Sequence, residues 1–219
     1  MKKQIMLLIA IVFTIANSYA QTAINESNSQ KRNIESFHSI RVSSGIEVII
    51  TKGDKEELAV TVGDLSYLNQ VKTTVSNGVL TISRDVEWKF WNSWKNWTVR
   101  VYVSYINVDK LTVSSGAILK GTGLSLSSLT ARVSSGAQIQ ISGKADFLDV
   151  NASSGSSFRG NDFSVTKCKA EVSSGAGIQV NVEKELSAEA SSGGYIKYKG
   201  NGSIRDINIS SGGSVKRQS

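Results

Sequence analysis

Residues able to do covalent chemistry are scarce in this chain. It has one histidine, His38, and one cysteine, Cys168. A serine or cysteine nucleophile needs a base beside it, so only His38 could complete a Ser-His-Asp or Cys-His arrangement. The same scarcity argues against a histidine- or cysteine-based metal centre, and no metal or cofactor is expected. Acid–base cleavage of a glycan would need convergent carboxylates. Asp146, Asp149, Asp162, Glu171, Glu183, Glu185, Glu189 and Asp206 are available, but they do not recur at one phase of any repeat. No catalytic residue is assigned, and the chain reads as non-enzymatic. Cys168 lies in the alternating stretch Ser164–Ala170 and reads as a small apolar residue packed inside a strand.

The segment richest in binding chemistry is Trp88-Lys89-Phe90-Trp91-Asn92-Ser93-Trp94-Lys95-Asn96-Trp97, which holds all four tryptophans. Trp88, Trp91, Trp94 and Trp97, mixed with lysine and asparagine, could stack on sugar rings or sit at a membrane interface. They could equally cap the open N-terminal end of a stack of strands, shielding an edge that would otherwise aggregate. The strand pattern Thr98–Val103 follows at once, so the segment is expected to span the tip of a hairpin.

The elements that must carry these residues follow from a repeat. Ser-Ser-Gly begins at Ser43, Ser114, Ser134, Ser153, Ser173, Ser191 and Ser210, and from Ser114 the intervals are 20, 19, 20, 18 and 19 residues. A period of that size, filled with alternating β-branched residues, marks a solenoid. The chain has no proline, and each proline would remove a donor from a strand ladder. The fold class is therefore all-β, a parallel β-helix with coils of about 18–20 residues. Each glycine supplies positive φ at a corner. The serine hydroxyls are expected to bond up the stack, so that Ser115, Ser135, Ser154, Ser174 and Ser192, with Gly116, Gly136, Gly155, Gly175 and Gly193, form an internal corner ladder.

Ahead of the coils, Met1–Ala20 has a lysine start, an apolar run over Ile5–Ile15 and Ser18-Tyr19-Ala20 before Gln21, the pattern of a secretory signal. The run is short for a membrane-spanning helix, and no transmembrane span is expected after signal removal. Residues 21–33 are polar and aperiodic, a flexible leader. A single domain is expected over 34–219, with N-terminal strands and the Trp-rich hairpin in 34–106 and the Ser-Ser-Gly coils in 107–219. Val71–Val75 and Val79–Ile82 flank Asn77-Gly78, a tight hairpin signal. The formal net charge of +7 falls to +5 once Lys2 and Lys3 are removed with the signal. That excess is spread along the chain, which argues for solubility and against a nucleic-acid partner.

Several of these stretches together resemble a known family, the head GIN domain of auto-transporter adhesins found in secreted Bacteroidetes proteins. They are Phe37 with Ile40–Val48, the Lys52-Gly53-Asp54 turn, Asn77–Ile82, the Trp-rich segment and Leu111–Ala117, and the resemblance runs from Phe37 to the C-terminus. It implies a right-handed parallel β-helix and a role in adhesion, with no catalytic residues to carry over. The function expected is an exported binding module in the periplasm, at the outer-membrane surface or outside the cell. Its expected partners are carbohydrate or cell-envelope components. A self-associating homo-oligomeric scaffold is the alternative, and a polysaccharide-active enzyme ranks below both.

Overall fold

The computed structural model describes residues 28–85 and 98–218. Strands and corners follow the repeat. β1 (Ser29–Arg32), β2 (Ser39–Val42), β3 (Glu47–Lys52), β4 (Glu57–Val62), β5 (Val71–Ser76), β6 (Val79–Arg84), β7 (Val99–Tyr105) and β8 (Lys110–Val113) precede the long strands. β9 (Ile118–Val133), β10 (Gln138–Ala152), β11 (Ser157–Val172) and β12 (Gly177–Ala190) each run from one corner to the next, and β13 (Tyr195–Lys199), β14 (Ser203–Ile209) and β15 (Ser214–Arg217) complete the stack. The result is a parallel β-solenoid of about five turns.

A coil here is nearly continuous strand. From β9 to β12 the chain stays extended through each coil's second bend and turns through register shifts, as between Ile141 and Gly143, whereas Gly200-Asn201-Gly202 breaks the strand between β13 and β14. Gly143 has φ +123°, and a Cβ there would stand 2.1 Å from the Leu124 carbonyl oxygen. Close backbone approach, rather than a loop, makes this bend.

Side chains alternate inward and outward, and lateral register stacks like on like. Val48, Leu119, Ile139, Phe158, Ile178 and Ile196 form one inward row, all fully buried. Cys168 stands in another, between Leu148 and Leu186, and is 3% exposed. At the C-terminal end, Ile204, Ile207 and Ile209 pair with core positions of β12 but are exposed, because among the described residues no further coil lies over them.

The N-terminal region is part of the same solenoid. β2 and β3 make a coil around Ser43-Ser44-Gly45, with β8 and β9 on one side and β6 and β7 on the other. The coil formed by later residues thus lies outside the coil formed by earlier ones. Antiparallel strands finish both N-terminal edges: β4 pairs β7, β1 pairs β4, and β5 pairs β6. The β5–β6 turn is the expected Asn77-Gly78 hairpin, with φ of 51° and 71°.

Two expectations change here. β1 falls inside the polar stretch read as a flexible leader over 21–33. It is held by edge pairing from Ser29↔Thr61 to Arg32↔Leu58, and by the Arg32 guanidinium, which donates to the carbonyls of Val71 (2.6 Å) and Leu68 (2.8 Å). Backbone pairing needs no apolar period, so the pattern did not reveal it. Second, β6 and β7, which flank the tryptophan segment, pair with different strands and are not the two arms of one hairpin.

The corners also differ from the expected hydroxyl ladder. Ser115, Ser135, Ser154, Ser174 and Ser192 are exposed. What ladders is backbone: the N–H of Gly116 donates to the Ser135 carbonyl, Gly136 to Ser154, Gly155 to Ser174 and Gly175 to Ser192, each at 3.0 Å. Serine and glycine are both left-handed, as at Ser135 (φ 53°) and Gly136 (φ 70°). With the 3.1 Å bond from Ala137 N–H to the Ser134 carbonyl, this is a type I′ turn. A Cβ on Gly136 would meet nothing within 4 Å, so backbone conformation alone selects glycine there.

Asparagine tolerates the left-handed region better than serine, and β-branched residues tolerate it worst. Ser135→Asn should therefore stabilise the fold by ~0.5 kcal/mol and Ser135→Val should cost ~1–2 kcal/mol. Urea unfolding of the two variants checks this. Equal midpoints would mean the hydroxyl, not φ, matters at the corner.

Candidate functional site

Trp88, Trp91, Trp94 and Trp97 lie outside the described residues. Their flanks do not. Ile82 is level with Val42 and Val113, the residues that enter Ser-Ser-Gly corners, and Arg100 is level with Glu47 and Ile118, which follow them. Seventeen residues thus separate Ile82 from Arg100 along the chain, where four, Ser114–Ala117, separate Val113 from Ile118.

Just beyond the corners begins a polar face. Arg100 Nε donates to Glu47 Oε2 at 2.8 Å, and Lys120 Nζ reaches Glu47 Oε1 at 2.7 Å. Partial burial pushes the Glu47 carboxyl up, but the hydrogen bonds from Lys120 and Arg100 outweigh it and hold its pKa below the ordinary value. From Lys120 the outward row continues coil by coil through Gln140, Arg159, Gln179, Lys197 and Lys216. A depression of about 420 Å³ is lined by Lys120, Gln140, Arg159, Asn161, Asp162 and Gln179 among others. A second, of about 230 Å³, lies over Tyr195, Lys197 and Lys216. The Asn161 amide donates to Gln179 Oε1 at 2.7 Å, bracing the floor of the first.

Tyr195 is 37% exposed and level with Gly177 in the preceding coil. A Cβ on Gly177 would stand 2.3–2.8 Å from the tyrosine ring, so the ring lies across the gap where a side chain is missing. Lys197 Nζ sits 5.7 Å from the ring centroid.

The residues considered for catalysis are dispersed. His38 is exposed, its Nδ1 is 3.1 Å from Asp109, and its ring lies over Gly78. Asp149 takes a two-pronged bond from Arg132 (3.0 and 2.7 Å), Glu171 pairs with Lys169 (2.7 Å), and Glu185 with Lys167 (3.2 Å). Hydrogen bonds from Lys169 and Asn151 lower the Glu171 pKa, and the one from Lys167 lowers that of Glu185. The lowered Glu171 and Glu185 favour the ionised form, unlike the raised acid that glycoside cleavage uses. Among the described residues no group of three or more His, Cys, Asp or Glu could hold a metal ion, and no helix is long and apolar enough to cross a membrane.

The family model described as "Putative auto-transporter adhesin, head GIN domain" matches residues 36–202. The chain belongs to this family. Solved structures agree on the GIN fold. A "putative adhesin" from Bacteroides fragilis aligns at TM-score 0.67 and 14% identity, covering 87% of this chain and 96% of that one. Another from Parabacteroides distasonis aligns at 0.55 and 17% (87% and 96%), and one from Parabacteroides merdae at 0.51 and 15% (87% and 95%). No curated protein matches. The match of the family model ends before β14 and β15, so the last two strands of this GIN domain lie past it.

The basic row is what reading the sequence missed. Its signal was present: the fourth residue after each corner glycine from Gly116 on is Lys, Gln, Arg, Gln, Lys and Lys.

Two solution measurements follow. Glu47 ionises more readily folded than unfolded, so its contribution is complete above the ordinary carboxylate range and is lost as pH falls through its depressed folded value. Glu47→Gln should flatten the acid limb of a stability-versus-pH curve, and an unchanged limb would deny the Arg100–Glu47–Lys120 triad that role. Burial, reinforced by Asp149, pushes the Cys168 thiol well above its usual range. A maleimide should leave it unmodified at pH 8 until denaturant unfolds the chain.

Proposed function

We propose that this GIN domain is an exported, non-enzymatic binding module whose contact surface is the tryptophan segment, with glycan or another cell-envelope component as ligand. The observation that carries this reading is positional. At every other described corner four residues join the paired strands, whereas seventeen separate Ile82 from Arg100, and that stretch of sequence holds Trp88, Trp91, Trp94 and Trp97. A rigid solenoid that concentrates aromatic residues in one segment suits binding, because the scaffold loses little entropy when a ligand docks. The adhesin descriptions of the family and of its solved neighbours support the same reading, as does the secretory pattern of Met1–Ala20.

The test is exposure followed by binding. Intact cells are treated with a membrane-impermeant label alongside a periplasmic control. Labelling of this protein, with loss of glycan or envelope binding by at least about tenfold in a Trp91→Ala/Trp94→Ala variant, is the expected result. Protection in intact cells would rule out adhesion to external surfaces and leave a periplasmic role.

A further inference from the structure

Charge in this molecule is segregated by face. On the sheet opposite the corner from the polar face, the outward rows hold Arg41, Lys110, Arg132 and Lys169 against Asp149, Glu171, Glu189 and Asp206. There cations and anions offset each other, with Arg132–Asp149 and Lys169–Glu171 bonded directly. The row from Lys120 to Lys216 has four cations and no acid. Glu47 occupies Lys120 at one end of it, and Asp162 turns to Lys199 at 3.8 Å. Arg159, in the middle, has no ion-pair or hydrogen-bond partner among the described residues.

From this geometry we infer that the face bearing Lys120, Gln140, Arg159, Gln179, Lys197 and Tyr195 is a binding site for an extended acidic polysaccharide lying across the coils. This site is separate from the tryptophan segment and does not depend on it. Three features select the ligand class. First, from Lys120 to Lys197 cation and amide alternate, so the cations stand two strand spacings apart, about 9.6 Å. That interval suits a chain with one carboxylate on alternate sugars. Second, the intervening Gln140 and Gln179 amides both donate and accept, which matches sugar hydroxyls. Third, the Tyr195 ring, whose phenol end fills the space above Gly177 and which has Lys197 Nζ 5.7 Å from its centroid, is partly exposed and offers an aromatic contact to a sugar ring. Arg159 supplies the planar fork that carboxylates take in two prongs.

Nucleic acid is the competing polyanion. Binding a single strand would call for a run of aromatic residues on which successive bases stack, and this face has one such ring at one end. Neutral glycan would not need the cations.

The experiment uses the purified mature chain and three probes: hyaluronan oligosaccharides, which carry one carboxylate per disaccharide, neutral dextran, and a DNA duplex. Hyaluronan should bind and weaken as salt rises, with dextran far weaker. Arg159→Gln and Lys197→Gln should each lower affinity about tenfold, the loss of one charge-assisted hydrogen bond. Tyr195→Ala should lower it as well, while Lys144→Gln, off this face, should not. All four side chains are partly or fully exposed, so matched thermal unfolding serves as the folding control. No hyaluronan binding, equal binding of dextran, or row variants that bind like the parent would each overturn the proposal. Tighter, row-dependent binding of the DNA duplex would replace the polysaccharide with nucleic acid.

Discussion

Everything in this molecule depends on hydrogen bonds that run along the solenoid axis, from each coil to the next. They continue through the corners, where glycine N–H groups donate to serine carbonyls one coil on. Corners are where a solenoid would otherwise leave backbone polar groups unpaired, and a buried unpaired group costs more than a made bond contributes. The left-handed Ser-Gly pair aims one N–H and one carbonyl along the axis, so the ladder is not interrupted. The requirement is on backbone conformation. It leaves the second serine's side chain facing solvent, and the small residue after the glycine, such as Ala117, Ala137 or Ala176, turned into the core.

That ladder sets lateral register, and register gives the rest. With coils locked about 4.8 Å apart, residues near 20 apart in sequence become neighbours. Apolar positions merge into one core, including Phe158 and Phe163 at full burial. The same alignment turns single outward residues into rows. A lysine at 120 and an arginine at 159 are unremarkable along the chain, yet they stand on one face in line with Lys197 and Lys216. Arg100, on the β7 strand that follows the tryptophan segment in sequence, stands beside the start of that row, and it and Lys120 hold the two oxygens of Glu47.

Much of the fold was legible before any coordinates. Ser-Ser-Gly spacing, absent proline and alternating apolar residues pointed to a parallel solenoid, and Asn77-Gly78 to a hairpin. These are local signals: a left-handed turn needs particular residues wherever it occurs, and burial of one strand face imposes a period of two. Errors arose where the cause was not local. β1 is held by pairing with β4 and by Arg32 reaching carbonyls about forty residues away, neither of which leaves a hydrophobic pattern. The hydroxyl ladder was misplaced because hydrogen bonding by the hydroxyl was taken as the reason for serine, when the backbone angle and an exposed side chain were sufficient.

For the surface the division is sharper. The sequence by itself determined the period, the corner chemistry and the inward rows, because each follows from what a single residue permits its own backbone or buries against its own strand. Only the tertiary structure decided which outward residues act together. A net charge spread evenly along the chain became one basic face and one neutral face because lateral pairing sorts residues by phase within the coil, not by distance along the chain. The place of the β6–β7 coil, outside the earlier β2–β3 coil, was settled at the same level. No local preference orders coils in space; the pairing of whole strands does.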